Sequence, residues 1–407
     1  MTDGTAHRRN EALVSLFIGR TVYAFNWYNI GAVLPLVRTG LAADTAELGI
    51  VLAAFLIGAA IFQVPAGLAA MRWGNRAVAI GALWAMAAFT LASAASPNWE
   101  LLAATRFGAG AGAAFFFAPG LGLATSYFPP GTRGPVIGIY NSGFALGSAV
   151  SLIAGAYIGL LFGWQWALAI GGFLLVGGAV LAATTLPRVA DEGTGARSRL
   201  ADLWRSALPT VRSRELWALA LGTSGLWAGF YIAAQYFVEY AVQVGRTSSL
   251  VLAAGVTFVM IVFEIPGGPI GGWFAERSRG LRRLILVWGV ATAGAIAAIP
   301  LLSFPLVWPL FVFLGFANGV FFAVLYLIPT YLPGLSATGF SFALALLNSI
   351  QIFVGSALAL AFGFVAQRAG FTDAWWLAGA VAAVLLPLLI LVPDTRTRPL
   401  PGIVPAE

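Results

Sequence analysis

The sequence predicts an all-α membrane protein with twelve transmembrane helices in two pseudo-symmetric six-helix bundles, and three observations lead to this fold class. The chain of 407 residues is 60% hydrophobic and only 9% charged, whereas soluble domains carry about 25% charged residues. It contains twelve apolar stretches that are long enough to cross a bilayer. Its second half also repeats sequence patterns of its first half.

The composition excludes several classes of function. A chain this apolar cannot cover a water-facing surface, so it is not a soluble enzyme, a disordered protein or a nucleic-acid binder, despite an isoelectric point near 10.1. It has no cysteine, and its one histidine, His7, lies in the polar N-terminal tail. We therefore expect no metal site, no cofactor and no catalytic constellation. The nucleotide-binding pattern GxxxxGK[ST] is absent, which argues against transport powered by ATP.

The order of the predicted spans indicates two halves joined by a linker. The longest hydrophilic break follows the sixth span, so we expect an N-terminal bundle at 1–187, a cytoplasmic linker at 188–213 and a C-terminal bundle at 214–407. The first span is too long for the core of a signal peptide, so no cleavage is expected. The predicted spans are 12–37, 46–71, 76–96, 99–128, 135–162, 164–187, 214–243, 248–275, 281–303, 305–332, 338–367 and 372–393.

The arginines predict the orientation. With the N-terminus in the cytoplasm, 17 of the 22 basic residues fall on cytoplasmic segments, and only Arg38, Arg246 and Arg368 fall outside. This asymmetry follows the positive-inside rule. We therefore expect a multi-pass protein of a prokaryotic cytoplasmic (inner) membrane with both termini in the cytoplasm, and we expect it to be a monomer.

Three pairs of segments repeat in the same order in the two halves. VLAAFLIGAAIFQVPAG at 51 resembles VLAAGVTFVMIVFEIPGG at 251, and TSYFPPGTRG at 125 resembles TYLPGLSATG at 330. The third pair, YNSGFALGSA at 140 and LNSIQIFVGSA at 347, aligns Asn141 with Asn348. Two such halves around an axis along the membrane normal are the layout of a rocker-switch transporter.

Specific motifs resemble those of the major facilitator superfamily along the whole chain. Its loop between helices 2 and 3 is similar to GLAAMRWGNR at 67–76, with Met71 in place of the family's aspartate, and GWFAERSRG at 272–280 is the second-half counterpart. RFGAGAGAA from Arg106 resembles the arginine-glycine motif of helix 4. FPPGTRG and GWQWALAIGG are similar to patterns of the family's organic-anion branches, including the anion:cation symporters. The resemblance implies alternating access around a site lined by helices 1, 4, 7 and 10.

Three ionisable residues lie deep inside predicted spans, where a charge costs at least about 2.5–3.5 kcal/mol. Arg20 and Arg106 are candidate ligands for a carboxylate, because a guanidinium offers a planar fork of donors. Alternatively, Arg20 reaches the interface or a neighbouring carbonyl, and Arg106 binds helix 1 carbonyls. Glu264 is a candidate coupling group or an interdomain hydrogen-bonding partner of Gln63. Glu239 is expected to reach water at the outer end of helix 7.

Further candidates complete the predicted site. Glu276 with Arg277 is expected to hold the start of helix 5 and so to gate the cytoplasmic side. The asparagines could contact substrate or form interhelical hydrogen bonds. The predicted substrate-binding residues are Arg20, Arg106, Trp27, Tyr28, Asn141, Tyr231, Asn318, Tyr326 and Asn348, and the predicted gating residues are Arg72, Arg76, Arg133, Glu276 and Arg277.

These residues predict a secondary transporter that moves a small organic anion, of the carboxylate class, by alternating access. Two intramembrane arginines against one deeply placed glutamate motivate this charge preference. Transport would be coupled to protons through Glu264, or would proceed as exchange or facilitated diffusion. The alternative is a proton-coupled exporter of hydrophobic or cationic drugs. A non-transporting membrane receptor is a third class. The expected partners are a small-molecule substrate and the lipid bilayer.

Overall fold

The computed structural model describes residues 3–128, 133–187, 211–278, 280–331 and 337–394. Over these ranges the chain forms twelve long α-helices and no β-strand, which confirms the all-α prediction. Most of the predicted linker, 188–210, lies outside the described residues. The helices are α1 (Asp3–Tyr28), α2 (Thr45–Trp73), α3 (Asn75–Ala94), α4 (Trp99–Ser126), α5 (Arg133–Phe162), α6 (Trp164–Thr185), α7 (Arg214–Gln243), α8 (Leu250–Arg277), α9 (Leu281–Ala298), α10 (Phe304–Leu327), α11 (Ala337–Ala369) and α12 (Phe371–Leu385).

Polar side chains fix the starts of several helices. Asp44 accepts a hydrogen bond from the N–H of Glu47 at 2.8 Å, and the Glu47 carboxylate accepts one from the N–H of Asp44, so a capping box begins α2. Asn98 caps α4, Ser213 caps α7 and Ser249 caps α8 in the same sense. Each cap satisfies backbone N–H groups that the helix itself leaves unpaired.

The first predicted span, 12–37, is not one helix. In the structure α1 begins earlier, at Asp3, and ends at Tyr28, and a short helix, Leu34–Gly40, follows a 3-10 turn. Pro35 explains the break, because proline lacks an N–H and favours the first turn of a new helix. Among the described residues eleven segments are long and apolar enough to cross a membrane. The segment α1 is not one of these eleven, because polar residues such as Arg20 and Asn26 lower its mean hydropathy.

The two halves pack in the same way. In the first half α1 packs on α5, α2 on α4 and α3 on α6, and in the second half α7 packs on α11, α8 on α10 and α9 on α12. Between the halves α2 contacts α11, and its symmetry counterpart α8 contacts α5. Every helix contact in this set has a partner in the other half, which confirms two pseudo-symmetric bundles.

Two glycines mark the repeat at the level of a single turn. Gly163, between α5 and α6, has φ 92°, and Gly370, between α11 and α12, has φ 96°. A side chain with a Cβ would be strained in this left-handed region, whereas glycine is not. The same tight turn therefore reverses the chain at equivalent points of the two bundles.

A second repeated feature holds each bundle together at the predicted cytoplasmic ends of its helices. Arg76, at the start of α3, donates to the carbonyl of Leu186 after α6 at 2.9 Å. Arg282, at the start of α9, donates to the carbonyl of Val392 after α12 at 3.2 Å. A guanidinium satisfies free carbonyls at a helix end. Neither pairing was predicted from the sequence.

Candidate functional site

Arg20 lies in a cage of aromatic rings in the first half. The side chain is 5% exposed, and its guanidinium carbon lies 4.7 Å from the ring centre of Tyr23 and 4.6 Å from that of Phe144. The rings of Phe117 and Tyr140 complete the cage at 4.9 and 5.3 Å. These rings come from α1, α4 and α5, so three helices build the site. Ring faces attract a cation and stabilise its charge away from water.

The guanidinium of Arg20 keeps donors without acceptors. The Tyr23 hydroxyl lies within hydrogen-bonding reach, but Nε and Nη1 of Arg20 are buried and have no hydrogen-bonding partner among the described residues. No carboxylate in the described part of the chain forms an ion pair with Arg20. A buried donor without a partner is unfavourable, so an anionic ligand that supplied the acceptors would be bound strongly.

Arg106 has a different environment. It is fully buried, its Nη1 and Nη2 donate to the carbonyl of Asn26 at 3.3 and 3.4 Å, and its guanidinium lies 4.4 Å from the centre of the Phe55 ring. The Asn26 side chain in turn donates to the carbonyl of Gly171 at 3.0 Å. Arg106 therefore links α4 to α1 through backbone oxygen, which was the alternative to substrate binding. Its role as a ligand stays a prediction.

In the second half Glu264 and Asn318 lie close together on two packed helices. Glu264 on α8 is half-buried, and Asn318 on α10 is 4% exposed with a buried Nδ2 that has no hydrogen-bonding partner among the described residues. The two helices approach closely because Gly315 and Gly319 have no side chain. A Cβ at either position would collide with a carbonyl of α8. Gln63, the residue of α2 that matches Glu264 in the repeat, keeps a buried Nε2 without a hydrogen-bonding partner in the described chain.

One phenol interacts with charged groups of both halves. Tyr326 on α10 interacts electrostatically with both Arg20 and Glu264, and 36% of its side chain is exposed. Its ring stacks on Phe322 at 5.5 Å between ring centres. The electrostatic interactions of Tyr326 thus reach one charged group in each half.

The other predicted aromatic ligands are buried where the two halves meet. Trp27, Tyr28 and Tyr231 are each 5% exposed or less. Tyr28 and Tyr231 meet across the two halves at 6.1 Å, and Tyr231 stacks on Trp227 at 5.6 Å. Tyr28 also interacts electrostatically with Glu264.

The two predicted asparagine ligands on α5 and α11 lie on the helices that contact across the halves. Asn141 on α5 is exposed and directly follows Tyr140 of the Arg20 cage, whereas Asn348 on α11 is half-buried. Next to Asn348, the Ser349 hydroxyl donates to the carbonyl of Ala60 on α2 at 3.0 Å. Their contact with substrate stays a prediction.

The helix ends that are predicted to face outside are joined across the two halves by contacts that were not predicted from the sequence. Arg38 Nε lies 2.7 Å from the Glu239 carboxylate, and Glu239 is fully buried. The expectation that Glu239 reaches water is therefore wrong, because Arg38 and the surrounding helices enclose it. The backbone N–H of Thr45 donates to Gln367 at 3.1 Å, and Gln235 donates to the carbonyl of Trp27 at 2.8 Å. A fourth contact, between Tyr28 and Tyr231, lies beside these three. We call the surface formed by the four contacts, between α1–α2 and α7–α11, the outer closure.

The predicted gating residues lie at the opposite ends of the helices. Arg72 and Arg277 are exposed and cover tryptophan rings, with Arg277 at 4.3 Å from the centre of Trp273. Arg76 makes bonds inside the first half. The side chains of Arg133 and Glu276 lie outside the described ones, so their predicted contact has no structural description here.

The sequence contained usable signals for the cage but not for the outer closure. Tyr140 and Phe144 are four residues apart on α5, and Tyr23 is three residues after Arg20, so each pair shares a helix face. In contrast, Arg38 and Glu239 are 201 residues apart in the chain, and no local pattern joins them.

Comparisons with known proteins agree with this architecture. A family model described as Major Facilitator Superfamily matches residues 16–327. The chain is similar to the 4-hydroxybenzoate transporter PcaK of Pseudomonas aeruginosa, with 33% identity over 40% of this chain and 36% of that protein. The match thus spans about a third of the length of that relative. It is also similar to the niacin transporter NiaP of Acinetobacter baylyi, with 26% identity over 70% of this chain and 73% of that protein.

Solved structures show the same fold. A D-xylose-proton symporter superposes with a TM-score of 0.77 over 95% of this chain and 98% of that chain, at 13% sequence identity. The family model covers most of the chain, and the twelve helices form the two related bundles that the motifs imply. The chain therefore belongs to the Major Facilitator Superfamily of membrane transporters.

Proposed function

We propose that this protein is a secondary transporter of small organic carboxylates and that Arg20 is the anchor for the carboxylate. The observation that carries the proposal is the buried guanidinium whose Nε and Nη1 lack acceptors inside an aromatic cage. A carboxylate has two oxygens in the geometry that a guanidinium fork binds. The names of the two relatives support this substrate class, because 4-hydroxybenzoate and niacin are both carboxylic acids.

The proposed mechanism is rocker-switch alternating access, with the outer closure as one gate. The two halves carry equivalent helix contacts, so rocking one against the other exchanges one set of interdomain contacts for its counterpart. Opening towards the outside requires separation of Arg38 from Glu239. On the cytoplasmic side, we propose that Arg72, Arg76, Arg133, Glu276 and Arg277 contribute to the second gate. Both termini would lie in the cytoplasm of an inner membrane.

In this proposal the coupling ion is a proton, which Glu264 binds and releases. Glu264 is half-buried and has Asn318 and two tyrosines near it, without a cation paired to it among the described residues. A carboxylate in such a place is a proton carrier that changes its charge between access states. Proton-linked transport, exchange and facilitated diffusion differ in whether an imposed pH gradient drives accumulation.

Uptake into proteoliposomes tests the function. Labelled nicotinate and 4-hydroxybenzoate should accumulate above protein-free vesicles, and Arg20→Gln should lower the rate by at least about tenfold, since hydrogen bonds to charged groups contribute about 1.5–3 kcal/mol. Arg283→Gln, which changes an exposed arginine at the start of α9, is the matched control and should leave uptake unchanged. Efflux of cationic dyes without carboxylate uptake would favour the drug exporter instead.

A further inference from the structure

An open groove lies on the outer surface of the first bundle, between α2, α3 and α4. Its volume is about 460 Å³, and apolar side chains and glycines line it. On α3 the lining residues Ala77, Gly81, Ala85 and Phe89 follow one another at four-residue intervals, so they share one helix face. Gly81 and Phe89 are exposed, and all three helices are long and apolar enough to cross a membrane. The groove therefore faces the hydrocarbon of the bilayer.

The dimensions of the groove fit an extended alkyl chain. From Ala77 to Phe89 it follows α3 for about 18 Å, at a rise of 1.5 Å per residue. This length is close to the depth of one leaflet, which is about 15 Å, half of the hydrocarbon core. The volume over this length gives a mean cross-section of about 25 Å², whereas an α-helix about 10 Å in diameter needs about 80 Å². A helix of another molecule could therefore place only single side chains in the groove.

A positive charge lies at one end of the groove. Trp73, the last residue of α2, lines the groove and is 62% exposed, and the guanidinium carbon of Arg72 lies 5.6 Å from the centre of its ring. Arg72 is itself exposed and forms no ion pair with a side chain in the described ranges. Tryptophan is enriched where a membrane meets water, and a guanidinium binds phosphate there. This end of the groove thus suits an anionic headgroup.

We propose that the groove binds a phospholipid of the leaflet at the Trp73 end, with one acyl chain along α3 and the phosphate beside Arg72. A phospholipid carries its anionic group directly at the end of its chains, as the arrangement of Arg72 and the groove requires. The chain gains more van der Waals contacts in a concave surface than on a flat helix face, and these contacts favour the groove over bulk lipid. None of the lining residues belongs to the Arg20 cage, so this is a second site.

Photo-cross-linking locates the lipid. Purified full-length protein in detergent is mixed with phosphatidylglycerol that carries a diazirine in one acyl chain, and cross-links are mapped by mass spectrometry after illumination. They should concentrate on the lining residues of α3 and α4. Gly81→Leu should reduce them at least about fivefold, which corresponds to ~1 kcal/mol. A Cβ at Gly81 meets nothing within 4 Å, so the leucine side chain fills the groove without displacing protein atoms.

Two further variants make this result specific. Ala85→Leu, one helical turn from Gly81, also fills the groove and should act in the same way if Gly81→Leu fails to fold. Gly177→Leu on α6 is the matched control, because Gly177 is exposed and a Cβ there also meets nothing within 4 Å. It should leave the cross-links unchanged. Cross-links that survive both groove-filling variants, or that spread evenly over the lipid-facing helices, would overturn the proposal.

Competition tests the phosphate contact. Unlabelled phosphatidylglycerol should displace the probe about two- to fivefold better than diacylglycerol with the same chains, the range expected for an exposed ion pair. Arg72→Gln should remove this difference and leave the cross-links in the groove. Equal competition by both lipids in the wild type would overturn the proposal. Disulfide-linked dimers of Gly81→Cys, without lipid cross-links in the groove, would identify a second copy of the chain as the occupant and overturn it as well.

Discussion

At the scale of single residues, the two intramembrane arginines both pack on aromatic rings but differ in their acceptors. Two nitrogens of Arg106 donate to the Asn26 carbonyl and only its Nε lacks a partner among the described residues, whereas Arg20 donates to no backbone carbonyl there and its Nε and Nη1 both lack partners. The sequence predicts that both lie inside membrane spans, where a charge is unfavourable unless it has a binding partner or a function. The sequence does not show which arginine has a hydrogen-bond acceptor within the protein, because the acceptor of Arg106 is 80 residues away in the chain.

This difference predicts opposite effects on stability. Arg20→Met should leave the melting temperature unchanged or raise it, because it removes a buried charge whose Nε and Nη1 lack acceptors, and it should abolish carboxylate binding. Arg106→Met should lower the free energy of unfolding by about 1–3 kcal/mol, because it leaves the Asn26 carbonyl unpaired and separates α4 from α1. Thermal denaturation of the two purified variants measures this. Equal destabilisation of both would contradict the distinction.

At the scale of helices, the sequence predicted the twelve spans well, and the exceptions have local causes. Apolar length and the repeat are properties of continuous sequence, so they located the starts of α2 to α12 within two residues, whereas the predicted ends of α9, α10 and α12 include the 3-10 turns that follow these helices. The break after Tyr28 was missed although Pro35 was visible, because the apolar stretch continues through it. The distance between two packed helices depends on the residues that face each other from distant segments of the chain. The sequence of one helix therefore does not predict this distance.

The close approach of α8 and α10 predicts how glycine substitutions in these helices change the stability of the protein. A Cβ at Gly315 would meet the carbonyl of Met260 on α8, so Gly315→Ala should destabilise the protein by about 1–3 kcal/mol through forced separation of the helices. Gly272→Ala on α8 is the control, because a Cβ there meets nothing within 4 Å. It should be neutral or stabilising by up to about 1 kcal/mol, from better helix propensity. Thermal unfolding in the same detergent compares the pair, and equal melting temperatures would contradict the packing argument.

At the scale of the whole molecule, the outer closure joins the two halves at the helix ends that are predicted to face outside. Arg38 and Glu239 join the halves at 2.7 Å, with Glu239 buried and Arg38 about one third exposed. The motif resemblance indicated a cytoplasmic gate but gave no information about the outer one. Opposite charges on segments that are distant in sequence become partners only when two bundles are placed side by side.

Opening of this closure should depend on the ion pair. Glu239→Gln should favour the outward-open state by about 1–2 kcal/mol, a value reduced for the exposure of Arg38. Because the chain has no cysteine, a single Ala46→Cys at the outer end of α2, where Ala46 is buried, can report opening without background labelling. Its reaction with a membrane-impermeant maleimide should become about 5- to 30-fold faster in Glu239→Gln, the rate ratio that corresponds to this free energy.

The control for this experiment lies between α3 and α4. Ala95→Cys, at an exposed position directly after α3, should react at one rate in both backgrounds and only from the outer face. Exchange of the charges, Arg38→Glu with Glu239→Arg, should restore slow labelling of Ala46→Cys. If the labelling rate of Ala46→Cys did not depend on the charges at Arg38 and Glu239, this ion pair would not be part of the gate.

The proposed contact between Arg20 and the carboxylate of the substrate can be observed at the guanidinium itself. In protein with ¹⁵N-labelled arginine, the Nε–H resonance of Arg20 can be assigned by its loss in Arg20→Lys. On addition of 4-hydroxybenzoate we expect a downfield shift of this resonance that saturates with binding, while the resonance of Arg106 stays in place. A saturating shift at Arg106 with no change at Arg20 would show that Arg20 is not the carboxylate ligand.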